Sequence, residues 1–254
     1  MGPEKNTEPE NDMNSEKNRR PEIRKECVVP LLDKRFIRVY DLQYAPGKHY
    51  FDATRRSLDD LAAVKTDEEF RRMTADAVSI FTVIAPPGEE PRLFLSYEYR
   101  YVTGQFLLSP PAGLIDPSDR EAAGGEASGR EPAGAAVTAA GRAALLAAAR
   151  ELHEEAGLTV TDRDSLSLVS PLVFSSPGMT DESNALVLAV FRRNALAELS
   201  QDGAEGSECF DGYVLLTKDD ARRILKNGCD DNGIFYSVYT WMALTYFVTD
   251  LWKD

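Results

Sequence analysis

The chain has 254 residues, 43% of them hydrophobic, enough to bury an ordinary core in one large domain or two small ones. Its formal net charge of −13 repels phosphate backbones and so excludes polymeric nucleic acid as the expected ligand, although divalent cations can still bridge such a protein to a small polyphosphate. Cys27, Cys209 and Cys229 are far apart and form no CxxC pair, no run of about 18 apolar residues exists, and the N-terminus is polar; no disulfide framework, zinc site or membrane contact is expected, and a cytoplasmic location is.

Residues 1–26 are rich in Glu, Asn, Lys and Pro and nearly devoid of bulky apolar groups, the composition of a disordered tail. Residues 27–75 read as a small β unit. Its alternating stretches FIRVYDLQY and HYFDATRR flank the turn residues Pro46 and Gly47, and a helical stretch runs from about Asp67 to Met73. Residues 76–254 form the main domain. Strand-like runs (AVSIFTVIA, RLFLSYEYRYV, QFLLSPPAGLI) are punctuated by Pro86-Pro87-Gly88 and Gly104, and predict neighbouring antiparallel strands. Residues 117–141, low in complexity, read as an inserted loop that turns helical toward its end. Arg142–Ala156 is the clearest helix: Leu145, Ala148, Ala149 and Leu152 recur at helical spacing, and Gly157 sits where a left-handed cap is wanted. Strands LSLVSPLVF, NALVLAVF and GYVLLT and two C-terminal helical stretches follow, giving an α/β or α+β sandwich.

The helix carries the chemistry. Offsets of three and four gather Glu151, Glu154 and Glu155 on one face, while Leu152 turns toward the core. Three carboxylates that close together repel one another unless a cation or an arginine neutralises them, so a Mg²⁺ or Mn²⁺ site is the physical reading. A solvated acidic face is the ordinary alternative, and spacing alone does not decide between them.

Context decides. Arg150-Glu151-Leu152-His153-Glu154-Glu155-Ala156-Gly157-Leu158 resembles the second half of the Nudix box, G-x5-E-x7-R-E-U-x-E-E-x-G-U with U a bulky aliphatic residue. Pro111-Ala112-Gly113-Leu114-Ile115-Asp116 resembles the first half as it stands in ADP-ribose pyrophosphatases. Between the halves the chain departs from the family. Arg142 stands where the box has its first Glu, and about 23 residues are added if Asp119 takes that place; Asp119, Glu121, Glu126 and Glu131 are the candidates to replace it. Downstream, Ser176-Pro177-Gly178-Met179-Thr180-Asp181-Glu182 is similar to the SPG-x-x-x-E loop of the same subfamily, and Tyr97-Glu98-Tyr99-Arg100 to its QYR segment, with Glu98 replacing the Gln.

The resemblance implies an α/β/α sandwich with a mixed sheet, preceded by the small N-terminal β unit. It implies metal ligation by the Ala112 carbonyl, Glu151, Glu154 and Glu155, with Arg150 fixing Glu151. Glu182 would be the general base, and Arg100 and Tyr99 would bind substrate. The implied activity is Mg²⁺-dependent hydrolysis of ADP-ribose or a related nucleoside diphosphate sugar, with a small nucleotide as substrate. A catalytically weak module that binds a nucleotide as a sensor is the alternative that the split box raises. The family's use of its N-terminal unit implies a homodimer with a shared substrate pocket. Phe36, Ile37, Val39, Tyr40, Tyr44, Tyr50 and Phe51 add a physical reason, because so small a unit buries them poorly alone.

Overall fold

The computed structural model describes residues 21–124, 138–203 and 208–253. The chain divides into two compact units: one runs to Phe70 and takes in Gly178–Asp181, and the other holds Arg71–Pro177 and Glu182–Asp254.

In the first unit, β1 (Val28–Asp33), β2 (Arg38–Ala45) and β3 (Lys48–Thr54) form an antiparallel meander. Gly47, at φ +67°, makes the tight β2–β3 turn, a conformation that side chains with a Cβ resist. Val28, Tyr40, Leu42 and Leu61 form a small core with Ile23, Leu58, Ala63 and Val64 against it, while Leu31, Phe36, Ile37, Tyr44, Tyr50 and Phe51 stay exposed. Most of the expected tail, residues 1–20, lies outside the described residues; the described remainder ends in a 3-10 turn at Lys25–Cys27. The unit stops at Phe70, short of the expected residue 75. A short helix α1 (Asp67–Arg71) closes it, and Ala75 is already buried in the other unit's core.

Polar contacts hold Gly178–Asp181 in the first unit. The Ala53 N–H donates to the Met179 carbonyl (3.0 Å) and the Tyr50 hydroxyl to the Gly178 carbonyl (2.7 Å). The Asp181 carboxylate accepts from the Thr54 hydroxyl and the Ala62 N–H (3.0 Å), with Arg56 Nε 3.7 Å away, while the Asp181 N–H donates to Asp52 (3.1 Å). Both aspartates are buried. Burial, then repulsion from Asp181, pushes the Asp52 carboxyl up to about 6, against the pull of the Asp181 N–H and Arg56.

The second unit is built on one seven-stranded mixed sheet. Its main order is β10 (Phe210–Leu216), β5 (Arg92–Arg100), β4 (Ala77–Ile84), β9 (Ser183–Phe191), β8 (Ser165–Phe174). Strand β6 (Gln105–Ser109) pairs with β5 and β7 (Ala112–Leu114) with β4; every pairing is antiparallel except β4 with β9. The central strands are apolar on both faces, and period two sorts their side chains into two cores. Val78, Ile80, Ala185, Val187, Ala189 and Phe191 face helix α3 (Ala139–Ala156), whereas Phe81, Val83, Leu186, Leu188 and Val190 face α4 (Lys218–Asn227) and α5 (Val238–Val248). The result is an α/β/α sandwich. No described helix is long and apolar enough to cross a membrane.

Two boundaries differ from the sequence reading. Helix α3 begins at Ala139, not Arg142, because Thr138 caps it by accepting from the Gly141 N–H; Gly141, at the end of the expected loop, is a buried helical residue. The expected loop 117–141 contains a helix, α2 (Pro117–Gly124), tied down by Arg120, which donates to the Ala75 and Ile115 carbonyls, and by Ala123, which is buried. Residues 125–137 of that loop lie outside the described residues.

The Asp52 environment sets a pH dependence. Its folded-state pKa is raised, so the stability that protonated Asp52 contributes is full below pH 3.8 and lost as pH rises through about 6. Asp52→Asn keeps an acceptor for the Asp181 N–H without the charge. Its stability relative to the parent should therefore grow by about 1–3 kcal/mol between pH 4 and pH 7. Parallel thermal melts across that range check this, and a constant difference would refute it.

Candidate metal centre

The carboxylate site is assembled by helix α3 lying close against β7. Ala143, Ala144, Ala147 and Ala148 are buried on the sheet-facing side of the helix, and these small side chains let the two backbones approach. Leu152 and Ala156 complete the packed stripe; truncating Leu152 to Ala would cost about 2–5 kcal/mol. Gly157, at φ +69°, caps the helix, its N–H donating to carbonyls of the last turn. Gly113 in β7 allows the closest approach, since a Cβ there would collide with the Glu151 carboxylate.

Glu151 and Glu155, one helical turn apart, are both buried. Glu155 accepts from the Ala112 N–H (3.0 Å). Glu208, exposed just before β10, completes a set of three carboxylates whose nearest oxygens all lie within 4.8 Å of one another. Burial, opposed by Arg150, raises the Glu151 carboxyl to about 7. Burial and the neighbouring Glu98, then Glu151 and Glu208, hold Glu155 well above the usual carboxylate range. Three converging hard oxygen donors, two of them on buried carboxyls, fit a Mg²⁺ or Mn²⁺ ion.

Arg150 organises the back of this cluster. One guanidinium nitrogen reaches Glu151 (2.7 Å) and Glu154 (2.9 Å); the other donates to the Leu114 carbonyl (2.9 Å) and meets Asp119 (3.4 Å) and Asp116 (3.8 Å). Glu154 is thus half-buried beside Arg150 and is not among the three converging carboxylates. Of the four acids considered for the missing box position, Asp119 is buried and touches Arg150, Glu121 is exposed, and Glu126 and Glu131 lie outside the described residues. Arg142 ties α3 to α2 by donating to the Ala123 carbonyl (3.1 Å).

Strand alternation separates the two expected substrate residues. Arg100 pairs with buried Glu98, two residues back on the same face of β5, and Glu98 acts electrostatically on Glu155. Tyr99 points the other way, its ring edge-on to Tyr101 and Phe106. Glu182 is half-buried near Tyr239, and its carbonyl accepts from the Ser175 N–H (2.9 Å). His153 is exposed.

Glu208 escaped the sequence reading. It lies more than fifty residues beyond the helix in a Gly- and Ser-rich stretch, and only the pairing of β10 with β5 brings it to Glu151. An acid placed just before a predicted strand, GYVLLT, was the one available signal.

No protein-family model matches the chain, and no curated protein matches it in sequence. Among solved structures it is similar to the crystal structure of an ADP compounds hydrolase, at 20% identity and a TM-score of 0.47, over 89% of this chain and 90% of that one. At that distance the likeness assigns neither substrate nor residue roles.

Glu155→Gln tests the cluster without reference to activity. At pH 8 and without metal the variant should melt higher than the parent, because the amide has no charge to desolvate, and it should lose most of the melting-temperature rise that Mn²⁺ gives the parent. A lower metal-free melting temperature together with an unchanged Mn²⁺ shift would refute a cation site there.

Proposed function

We propose that this chain is a Mg²⁺-dependent Nudix hydrolase that splits the diphosphate of ADP-ribose or a related nucleoside diphosphate sugar. The observation that carries the reading is that Glu151 and Glu155, in the stretch that resembles the second half of the Nudix box, converge with Glu208, while Glu151 lies against Gly113 of the stretch that resembles the first half. In this reading Glu151, Glu155 and Glu208 hold the cation, with the Ala112 carbonyl and Glu154 as further ligands. A divalent cation bound there would neutralise diphosphate charge and make a water molecule more acidic. Arg150 holds Glu151 in place, and Asp119 takes over from the absent box glutamate by holding Arg150. Arg100 exchanges its partner Glu98 for a phosphate oxygen of the substrate, and Tyr99 supports the strand from its other face. The Glu182 carboxylate accepts the proton of the attacking water. Water adds to phosphorus, the P–O bond of the diphosphate breaks, and ADP-ribose yields AMP and ribose 5-phosphate.

Phosphate-coupled assay of a nucleotide-sugar panel with Mg²⁺ tests the activity. No product from any member would favour the alternative of a weak, nucleotide-binding module, which the substitution of Arg142 for the box glutamate supports. Two variants separate the roles. Glu208→Gln should weaken Mn²⁺ binding, while Glu182→Gln should leave it intact and lower kcat by a factor on the order of 10²–10⁴. The reverse pattern would exchange the two assignments.

We also propose a homodimer formed through the first unit. Among the described residues its core holds four buried apolar side chains, and Leu31, Phe36, Ile37, Tyr44, Tyr50 and Phe51 remain exposed, so a second copy offers the burial the unit lacks. Sedimentation at micromolar concentration should give a dimer, and a clean monomer would refute it.

A further inference from the structure

Glu182 is the residue at which the chain passes from the first compact unit into the second, and both of its chain neighbours are fixed by buried polar contacts. Ser183 is held in the second unit: its N–H and hydroxyl donate to the Asp76 carboxylate (3.0 and 2.9 Å), and its carbonyl accepts from the Asp76 N–H (3.0 Å). Glu182 itself is closed onto Ser175 through its carbonyl, and the Ser175 hydroxyl is hydrogen-bonded to that of Tyr239 (2.6 Å). On the other side, Asp181 is held in the first unit by Asp52, Thr54, Arg56 and Ala62.

A surface turn does not need this much. Ser-Pro-Gly-Met-Thr is a short polar segment, and Met179 is exposed, so apolar burial at its tip does not hold it. Burying two carboxylates side by side is unfavourable unless each is well solvated by the protein. Here the Asp181 carboxylate accepts from a hydroxyl and a backbone N–H and has an arginine nearby, while Asp52 is kept up near 6 by the burial that the arrangement imposes. Such a network fixes a backbone more narrowly than apolar packing does, because each hydrogen bond has a direction.

We propose that Asp181 is a positioning residue: locked by Thr54, Ala62, Arg56 and Asp52, it fixes the peptide that precedes Glu182 and so sets where the Glu182 carboxylate points. This rests on the reading of Glu182 as the general base. Asp181 touches no reacting atom. Loss of its anchorage therefore leaves metal and substrate binding in place and lowers the rate at which a correctly aimed base takes the proton.

Thr54 offers the cleanest test, because it lies 128 residues from Glu182 in sequence and only its hydroxyl enters the network. Thr54→Val removes at nearly constant shape both that donor and the acceptor of the Arg56 N–H (2.9 Å), and Thr54→Ser restores both. In the full-length protein, hydrogen exchange over residues 174–183 and steady-state kinetics with Mg²⁺ on the best substrate of the panel are measured for both variants and the parent. Thr54→Val should speed exchange in that segment and lower kcat on the order of tenfold to a hundredfold with KM within about threefold. Thr54→Ser should match the parent in both. Should Thr54→Val fail to fold, Asp181→Asn is read by the same two measurements. Unchanged exchange would overturn the anchoring, and faster exchange with unchanged kcat would overturn the positioning. A parent that turns over no substrate while the exchange pattern holds would overturn the hydrolase reading, and the positioning role with it, but leave the anchoring standing.

Discussion

Glu151 and Glu155 carry two carboxylates into a space where neither has adequate contact with water, and Glu208 adds a third within 4.8 Å. Much of the surrounding structure answers that electrostatic load. Arg150 meets the cluster from behind and is itself steadied by Asp119 and the Leu114 carbonyl. The Ala112 N–H meets Glu155 from the side. What remains uncompensated is visible in the raised carboxyls of both glutamates, and a divalent cation is the simplest chemical species to supply it.

The packing of α3 makes this arrangement possible. A helix whose sheet-facing side is alanine comes nearer to its sheet than one faced with leucine, and Gly113 removes the last obstacle beneath Glu151. The same closeness makes the site intolerant of added bulk. Strand β5 contributes by alternation, setting Glu98 and Arg100 on the face that looks toward Glu155 and sending Tyr99 to the opposite side among Tyr101 and Phe106. The Glu98–Arg100 pair thus sets one acidic and one basic side chain on that face, and in the proposed reaction the arginine turns from Glu98 to a phosphate oxygen.

Local signals were legible in the sequence, and contacts between distant residues were not. The α/β/α layering follows from the doubly apolar strands AVSIFTVI and NALVLAVF and from an alanine-leucine helix closed by Gly157. The hairpin at Pro46-Gly47 announces itself by turn chemistry. By contrast, α2 was hidden by a composition that looks like a linker, because what fixes it are contacts of Asp119, Arg120 and Ala123 with partners elsewhere in the chain. Gly141, at the end of the expected loop, is a buried residue of α3, where its lack of a side chain suits close packing. Glu208 and the anchoring of Asp181 depend on strand pairing and on hydrogen bonds spanning about 120 residues, for which a single sequence carries no periodic trace.

In the proposed function Glu151, Glu155 and Glu208 together bind one divalent cation. Crystals soaked in Mn²⁺ and measured at the manganese absorption edge test it most directly. An anomalous peak about 2.0–2.5 Å from carboxylate oxygens of all three residues is expected. A well-ordered crystal at millimolar Mn²⁺ with no peak there, or with manganese held only by exposed surface carboxylates, would contradict it.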